Sequence, residues 1–234
     1  AAVTAFMAMK IPVVKACLLA NKYVHNSIAN TVKIGKGIPV NNPISTMYEE
    51  SCRYKVIEEL ARAVDQLISI RNFADLIPET QSNIVYAIPN AKSIEDVAGV
   101  NGRIVKAGDR SVPTSNIKFG ASRHVASSIL EYMKTNQQVR SALNIKNDKR
   151  VLDKCTKLFR VSHYERKLEP KVIKEKESRS ISWGVNIALS KNPDADIISH
   201  SGDVGKEPMI IIFGCSPQEV VDKVKKILDD KNFE

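Results

Sequence analysis

The sequence predicts a mixed α/β fold. Short apolar runs bounded by proline, glycine and asparagine are typical of strands, and they alternate with segments whose apolar residues recur at helical spacing. Strands interleaved with helices indicate an α/β domain, and several connections are short enough to join antiparallel strands. With 234 residues, the chain is long enough to bury a core without a disulfide or zinc site.

The first 43 residues are expected to form a unit of their own. Residues 1–9 are typical of a buried helix, and Pro12 is placed to open a second helix from about Val13 to Val32. Gly35-Lys36-Gly37 ends that segment, and a turn-rich linker follows. Because helices this apolar need a partner surface, the sequence suggests the remainder of a truncated upstream domain.

A second unit is predicted from residue 44 to residue 234. Its first helix has one apolar stripe, made of Val56, Leu60, Ala63, Val64, Leu67 and Ile68. Further helices are expected at roughly 122–134, 148–158, 180–190 and 217–229. Strands are expected at Ile84–Ile88, Arg103–Val105, Arg160–Tyr164, Ile197–His200 and Met209–Phe213.

The composition excludes a disordered chain and favours an anionic partner. The hydrophobic fraction is 43%, and 35 Lys and Arg residues face 26 Asp and Glu residues, a net charge of +9. Two-thirds of this excess lies between Lys146 and Lys176, with eleven basic and five acidic residues. That segment is either a solvated helix face with local ion pairs or a surface that attracts polyanionic substrates.

The cysteines indicate a reducing compartment, and we expect a cytoplasmic protein. Cys17, Cys52, Cys155 and Cys215 show no close or paired spacing. The first twenty residues lack a basic start and are interrupted by charged residues and a proline, so they predict neither a signal peptide nor a membrane helix.

One candidate site is the segment Gly120-Ala121-Ser122-Arg123-His124, which precedes a predicted helix. Ser122 is expected to cap the helix, which would place Arg123 and His124 in its first turn. A helix N-terminus favours an anion and disfavours a protonated histidine. The alternative is an ordinary capped helix with an incidental histidine.

A second candidate is the polar loop Gly202-Asp203-Val204-Gly205-Lys206-Glu207-Pro208. Gly205 and Lys206 suggest backbone and ammonium groups that approach a phosphate, although the spacing is not that of a P-loop. Asp203 and Glu207 offer the oxygen ligands that Mg²⁺ prefers. A tight loop with solvated charges is an equally good interpretation.

Arginine and tryptophan add two weaker candidates. Arg103 follows Gly102 at the start of a predicted strand, and its planar guanidinium suits phosphate oxygens. Trp183, before Gly184, is either a core residue or a stacking surface for a flat ring. The four histidines are scattered, with no zinc spacing and no nucleophile elbow, and no nucleic-acid-binding motif appears.

These motifs follow one another in the order found in a known family. The sequence resembles the archaeal ThiN-type thiamine-phosphate synthase domain over roughly residues 45–230. The resemblance is carried by Gly102-Arg103-Ile104, Phe119–Ala126, Asn144-Ile145, Trp183-Gly184 and Gly202–Met209. Residues 1–43 look like the tail of the ribokinase-like hydroxymethylpyrimidine (phosphomethylpyrimidine) kinase that is often fused ahead of this domain.

The resemblance implies a three-layer α/β/α fold like that of class II aldolases, with a mixed, largely antiparallel sheet. It also implies condensation of hydroxymethylpyrimidine diphosphate with thiazole phosphate, giving thiamine phosphate and pyrophosphate. Arg103 and His124 match the essential pair of the family. Gly102, Ser122, Arg123, Asn144, Trp183, Gly205 and Lys206 are the expected substrate-binding residues, and magnesium is expected to arrive with the diphosphate.

The sequence departs from the family at three positions, where Lys146 and Asn147 replace the expected Arg-Tyr and His200 replaces a common arginine. The alternative function is a thiamine-phosphate-binding sensor without catalysis, and a nucleic-acid or membrane partner is not expected. No kinase activity is expected of this fragment. The oligomeric state stays open, a homo-oligomer included.

Overall fold

The computed structural model describes residues 1–170, 177–203 and 205–229, without the side chains of residues 177–179. Val204 of the predicted phosphate loop lies outside the described residues, as do Lys171, Lys174, Glu175 and Lys176 of the basic segment. The chain divides into two compact units, Ala1–Tyr54 and Lys55–Glu234.

The first unit is helical. It contains α1 (Ala2–Ala8), α2 (Val13–Ala29) and the beginning of α3 (Ser45–Ser69). Helix α2 ends three residues before the predicted Val32, because Val32 pairs with Val40 through two backbone hydrogen bonds in the connection that follows. Most large apolar side chains of this unit are exposed, among them Val14, Leu18 and Ile38.

A seven-stranded sheet forms the second unit. Its strands are β1 (Ile84–Ala87), β2 (Val97–Val100), β5 (Ile117–Phe119), β6 (Ser141–Lys146), β7 (Val161–Tyr164), β8 (Ile197–His200) and β9 (Met209–Gly214). The spatial order is β5-β2-β1-β6-β9-β8-β7, and only the β7–β8 pair among these strands is parallel. A separate hairpin joins β3 (Ile104–Ala107) to β4 (Arg110–Pro113).

Helices cover both faces of the sheet. On one face α4 (His124–Thr135) and α6 (Glu177–Lys191) share a core with the strands. On the other face α7 (Pro217–Asp229) contacts β1, β6 and β9 and packs against α5 (Lys149–Leu158). Helix α3 covers that second face too, since its Glu59 bonds to Tyr86. The predicted three-layer α/β/α fold with a largely antiparallel sheet is therefore confirmed.

The apolar stripe predicted for the first helix of this unit is buried, except that Ile68 is half-buried. Strand β6 was not predicted, because Ser141 and Asn144 interrupt its apolar run. Both side chains are buried and bonded to backbone, Ser141 Oγ to the Val85 carbonyl at 2.8 Å and Asn144 Nδ2 to the Gln81 carbonyl at 2.9 Å. Strand β2 was missed because its Ala98-Gly99 centre has weak strand propensity.

Candidate active site

Most candidate residues lie at one edge of the central sheet. Strand registers place Tyr164, His200, Met209 and Lys146 directly across from one another. Strand β1 begins at this edge and β2 ends there, because β1 and β6 are antiparallel and so are β1 and β2. The loop residues 79–83, 101–103, 201–203 and 205–208 therefore converge on this edge, although they are distant in sequence.

Arg103 enters this edge from the turn after β2. Its backbone N–H donates to Thr114 Oγ1 at 2.8 Å, and its Nη1 donates to the carbonyl oxygen of Thr80. Gly102 has φ +101°, and a Cβ added there would lie 2.1 Å from Thr114 Oγ1. Position 102 thus requires glycine, because the backbone has a positive φ there and Thr114 lies close. The Arg103 side chain is exposed.

Glu207 fixes the loop that Arg103 contacts. Its carboxylate accepts hydrogen bonds from the Glu79 N–H at 2.9 Å, the Thr80 N–H at 3.0 Å and Thr80 Oγ1 at 2.9 Å. The structure therefore links two predicted site residues, Arg103 and Glu207, through Thr80. No sequence motif connected them.

The loop that carries Lys206 is a tight turn. Asp203 and Lys206 exchange two backbone hydrogen bonds of 3.0 and 2.8 Å. The two glycines of this loop have positive φ, +78° at Gly202 and +70° at Gly205. A Cβ at Gly202 would lie 2.5 Å from the Lys206 carbonyl oxygen, whereas the space around Gly205 is open. The turn presents the Lys206 side chain at the same edge as His200.

The predicted cap of α4 is wrong. The helix begins at His124, and its N-cap position is Arg123, which has helical φ and ψ of −81° and −45° and makes no capping hydrogen bond through its side chain. Ser122 is instead buried beside Gly99. A Cβ added at Gly99 would lie 3.4 Å from the Cβ of Ser122. The prediction failed because packing against β2 holds Ser122 before the helix starts.

His124 is half-buried at the start of α4, and Arg123 is exposed. The charge of a protonated His124 acts on His200, which places the two imidazoles near the same site. The expectation that His124 stands in the first turn of this helix is confirmed, since it is the first helical residue. Its chemical role stays a prediction.

Asn144 holds the 81–83 loop of the site in place through its side-chain amide. Its Oδ1 accepts from the Asn83 N–H at 2.7 Å, and its Nδ2 donates to the Gln81 carbonyl. Asn83 in turn bonds to the backbone of Val100 through both ends of its amide. These asparagines hold the 81–83 loop against β2 and β6, which gives Asn144 a structural task whether or not it also contacts substrate.

Trp183 is half-buried on α6 and stands edge-on to Tyr164, with ring centroids 6.2 Å apart and an interplanar angle of 89°. A Cβ at Gly184 would lie 2.2 Å from the Tyr164 ring, so the tyrosine packs directly on the glycine backbone. Trp183 and Gly184 therefore both pack against the ring of Tyr164.

His200 was not predicted as a site residue, although its departure from the family pattern was the available signal. It is 1% exposed, its Nδ1 accepts from the Gly202 N–H at 3.2 Å, and its carbonyl accepts from Asn147 Nδ2 at 2.9 Å. Burial, followed by the nearby charges of Arg166, His124, His163 and Lys206, lowers the pKa of His200 to about 3. It is therefore a neutral group with its proton on Nε2.

Arg166 and Glu169 were also missed, because they lie in the basic segment with no motif to mark them. Both are 4% exposed, and Lys206 Nζ lies 3.8 Å from Glu169 Oε2. Elsewhere in this segment two cations have ion-pair partners: Lys146 pairs with Asp148 at 3.1 Å, and Arg160 pairs with Asp196 at 3.0 Å. Among the described residues of the segment, Arg166 is an arginine buried at the site edge.

The predicted ligands Asp203 and Glu207 do not fit a magnesium ion held by the protein alone. The Glu207 carboxylate already accepts three hydrogen bonds. Among the residues that the structure describes, no group of three or more His, Cys, Asp and Glu could hold a metal ion.

Comparisons with known proteins agree with this arrangement of motifs. The family model described as thiamine-phosphate synthase ThiN matches residues 59–226. The thiamine-phosphate synthase ThiN of Methanothermobacter thermautotrophicus is 41% identical over 175 residues, which cover 74% of this chain and 92% of that protein. A crystal structure described as the C-terminal domain of phosphomethylpyrimidine kinase superposes with a TM-score of 0.71 at 42% identity, covering 75% of this chain and 99% of that one.

A longer relative matches almost the whole chain. The bifunctional thiamine biosynthesis protein ThiDN of Methanocaldococcus jannaschii is 37% identical over 229 residues, which cover 97% of this chain and 52% of that protein. The chain thus spans about half the length of that relative. Since the family model covers most of the second unit and the shorter relative is matched almost end to end, this chain belongs to the ThiN family of thiamine-phosphate synthases.

Proposed function

We propose that this protein joins hydroxymethylpyrimidine diphosphate to thiazole phosphate, forming thiamine phosphate and releasing pyrophosphate. The observation that carries the proposal is that Arg103, Lys206 and His124 are placed around one edge of the sheet in a chain that belongs to this family. Each residue stands on a separate element, so the arrangement depends on the whole fold.

The chemistry of the proposed reaction matches these groups. Breaking the carbon–oxygen bond to pyrophosphate builds negative charge on the leaving group and positive charge on the pyrimidine methylene. Arg103 donates a hydrogen bond from Nη1 to the Thr80 carbonyl oxygen, and its guanidinium has further N–H groups that can donate to phosphate oxygens. Lys206 and the N–H groups at the start of α4 add positive charge on the side of His124.

In this proposal, His124 shares or transfers a proton with the leaving group or with the pyrimidine amine. His200 stays neutral and orients the Gly202 turn, so it adds no positive charge of its own. Magnesium belongs to the substrate here, entering with the diphosphate, because two carboxylates of the loop do not make a protein site.

The decisive assay follows pyrophosphate and thiamine phosphate together, with both substrates and Mg²⁺ present. Arg103→Ala and His124→Ala are each expected to lower kcat by about 10²–10³, the usual effect of one lost stabilising donor. Arg103→Lys should recover only part of the rate, since lysine lacks the planar fork. The matched control is Arg110→Ala, an exposed arginine on the β3–β4 hairpin, which should turn over normally.

Near-full turnover by folded Arg103→Ala and His124→Ala proteins would refute this assignment. Tight thiamine phosphate binding by the wild-type protein without synthesis would instead favour a sensor domain.

We further infer that residues 1–43 are related to the kinase part of the bifunctional relative. The supporting fact is the match of 97% of the chain to a bifunctional relative. A cytoplasmic location is proposed on the four cysteines, which are free. No helix among the described residues has the length and apolarity needed to span a membrane.

A further inference from the structure

Two buried charged residues, Arg166 and Glu169, form a cluster with the half-buried Lys206 and lack hydrogen bonds that their burial requires. Among the described residues, Arg166 Nε and both carboxylate oxygens of Glu169 have no hydrogen-bond partner. Arg166 Nη2 donates to Ser180 Oγ at 3.2 Å, but Lys206 Nζ, at 3.8 Å from Glu169, is beyond hydrogen-bonding distance. A buried polar atom without a hydrogen-bond partner is costly, so these atoms mark a place that a ligand can complete.

The aromatic side chains of Tyr164 and Trp183 lie beside the cluster and are called the aromatic wall. Tyr164 is 1% exposed, and its ring lies 5.2 Å from the His200 ring and edge-on to Trp183. Burial raises the pKa of Tyr164 to about 12, and the charges of Arg166 and Glu169 act on the same hydroxyl in opposite directions. The unsatisfied carboxylate, the guanidinium and the two rings of the aromatic wall thus belong to one site, and the neighbouring Lys206 side chain is 29% exposed.

The cluster favours a donor-bearing ring over an anion. A phosphate placed on Arg166 would meet the negative charge of Glu169, and it would leave the carboxylate oxygens without donors. A flat ring with an amine next to a ring nitrogen supplies a donor for Glu169 and an acceptor for Arg166. Of the two proposed substrates, the pyrimidine has this edge, whereas thiazole phosphate has no N–H group.

We propose that Glu169 and Arg166 recognise the amine and adjacent ring nitrogen of the pyrimidine substrate, with Tyr164 and Trp183 beside its ring. This inference rests on the proposed function, and it assigns the pyrimidine half of the site. It also places a carboxylate near the group that becomes positively charged as pyrophosphate leaves, which stabilises that charge.

The test measures binding without turnover. Trp183 is the only tryptophan of the chain, so its fluorescence reports on this site. The probes are hydroxymethylpyrimidine diphosphate and its analogue in which hydrogen replaces the amine, each with Mg²⁺ and without thiazole phosphate. Glu169→Leu is expected to weaken binding of the amine compound by about 10- to 100-fold and to leave the analogue unchanged.

Two further variants sharpen the result. Glu169→Gln retains one acceptor and should lose less affinity, and it serves in place of Glu169→Leu if that protein does not fold. Glu165→Gln is the matched control, because that carboxylate is exposed and bonds to His163 and Ser201 instead; it should bind both probes normally.

Equal binding of the two probes by the wild-type protein would overturn the inference, as would equal losses for both probes in Glu169→Leu. A preference for the amine that depends on Glu169, in a protein that makes no thiamine phosphate, would refute the proposed reaction and leave this inference standing. Binding of neither diphosphate would overturn both.

Discussion

At the scale of single residues, His200 gives the site a pH dependence of stability. Its pKa in the folded protein is about 3, owing to burial and to the charges of Arg166, His124, His163 and Lys206, against an ordinary value of 6.5. The unfolded chain therefore binds a proton more readily than the folded one. The stabilisation is complete above about pH 6.5 and is lost as the pH falls from there toward 3.

We therefore expect the free energy of unfolding to fall by about 2 kcal/mol between pH 7 and pH 5 through this residue. Urea unfolding followed by Trp183 fluorescence measures it. His200→Gln should reduce this slope, even if its stability at pH 7 is lower. An unchanged slope in the variant would show that other groups carry the pH dependence.

At the scale of secondary-structure elements, the starts of α4 and α5 differ in how they are capped. Asp148 precedes α5 with extended φ and ψ, and its Oδ1 accepts from the Val151 N–H at 2.9 Å. Burial opposes its ionisation, but the backbone bond from Val151 and the ion pair with Lys146 lower its pKa overall. The N-cap residue of α4, Arg123, makes no such bond through its side chain, and the predicted cap, Ser122, packs on β2.

Asp148→Ala should therefore cost about 1 kcal/mol of stability, whereas Ser122→Ala should cost less than about 0.5 kcal/mol. The ion pair adds little to the first value, because both side chains are more than one-third exposed. Urea midpoints of the two variants decide the matter. A larger loss for Ser122→Ala would mean that its hydroxyl does cap α4.

At the scale of the whole molecule, the two units carry unequal shares of buried surface. The family match, residues 59–226, lies within the second unit, and so do nearly all buried apolar side chains. The first unit carries most of the exposed large apolar side chains. Exposed apolar surface of this kind promotes association.

A chain beginning at Ser45 should therefore unfold cooperatively with an unchanged Trp183 transition, and it should associate less than the full chain. Thermal melts and sedimentation provide the measurement. The matched control begins at Asp65 and lacks the buried α3 residues Val56, Leu60, Ala63 and Val64, so it should not fold stably. Loss of the transition in the Ser45 chain would show that the second unit depends on the first.

The predictable features of this protein are those encoded locally. The apolar face of the last helix has a clear period, and Val220, Val221, Val224, Ile227 and Leu228 are all buried. The Gly102-Arg103 pair was a candidate because an arginine with a planar guanidinium opens a predicted strand there, and the structure adds that the turn requires the glycine. Strand β6 escaped prediction because Ser141 and Asn144 are satisfied by backbone groups of distant segments, which no local pattern records.

The sequence alone determined the α/β class, the order of the motifs and the residue types available for phosphate chemistry, because these follow from periodicity, turn-forming residues and charge. Only the tertiary structure decided which residues meet. The pairing of β7, β8, β9 and β6 brings Tyr164, His200, Met209 and Lys146 level at one edge, and burial makes His200 neutral there. Glu169 became a candidate for the same reason, since burial without hydrogen-bond partners is a property of the packed molecule.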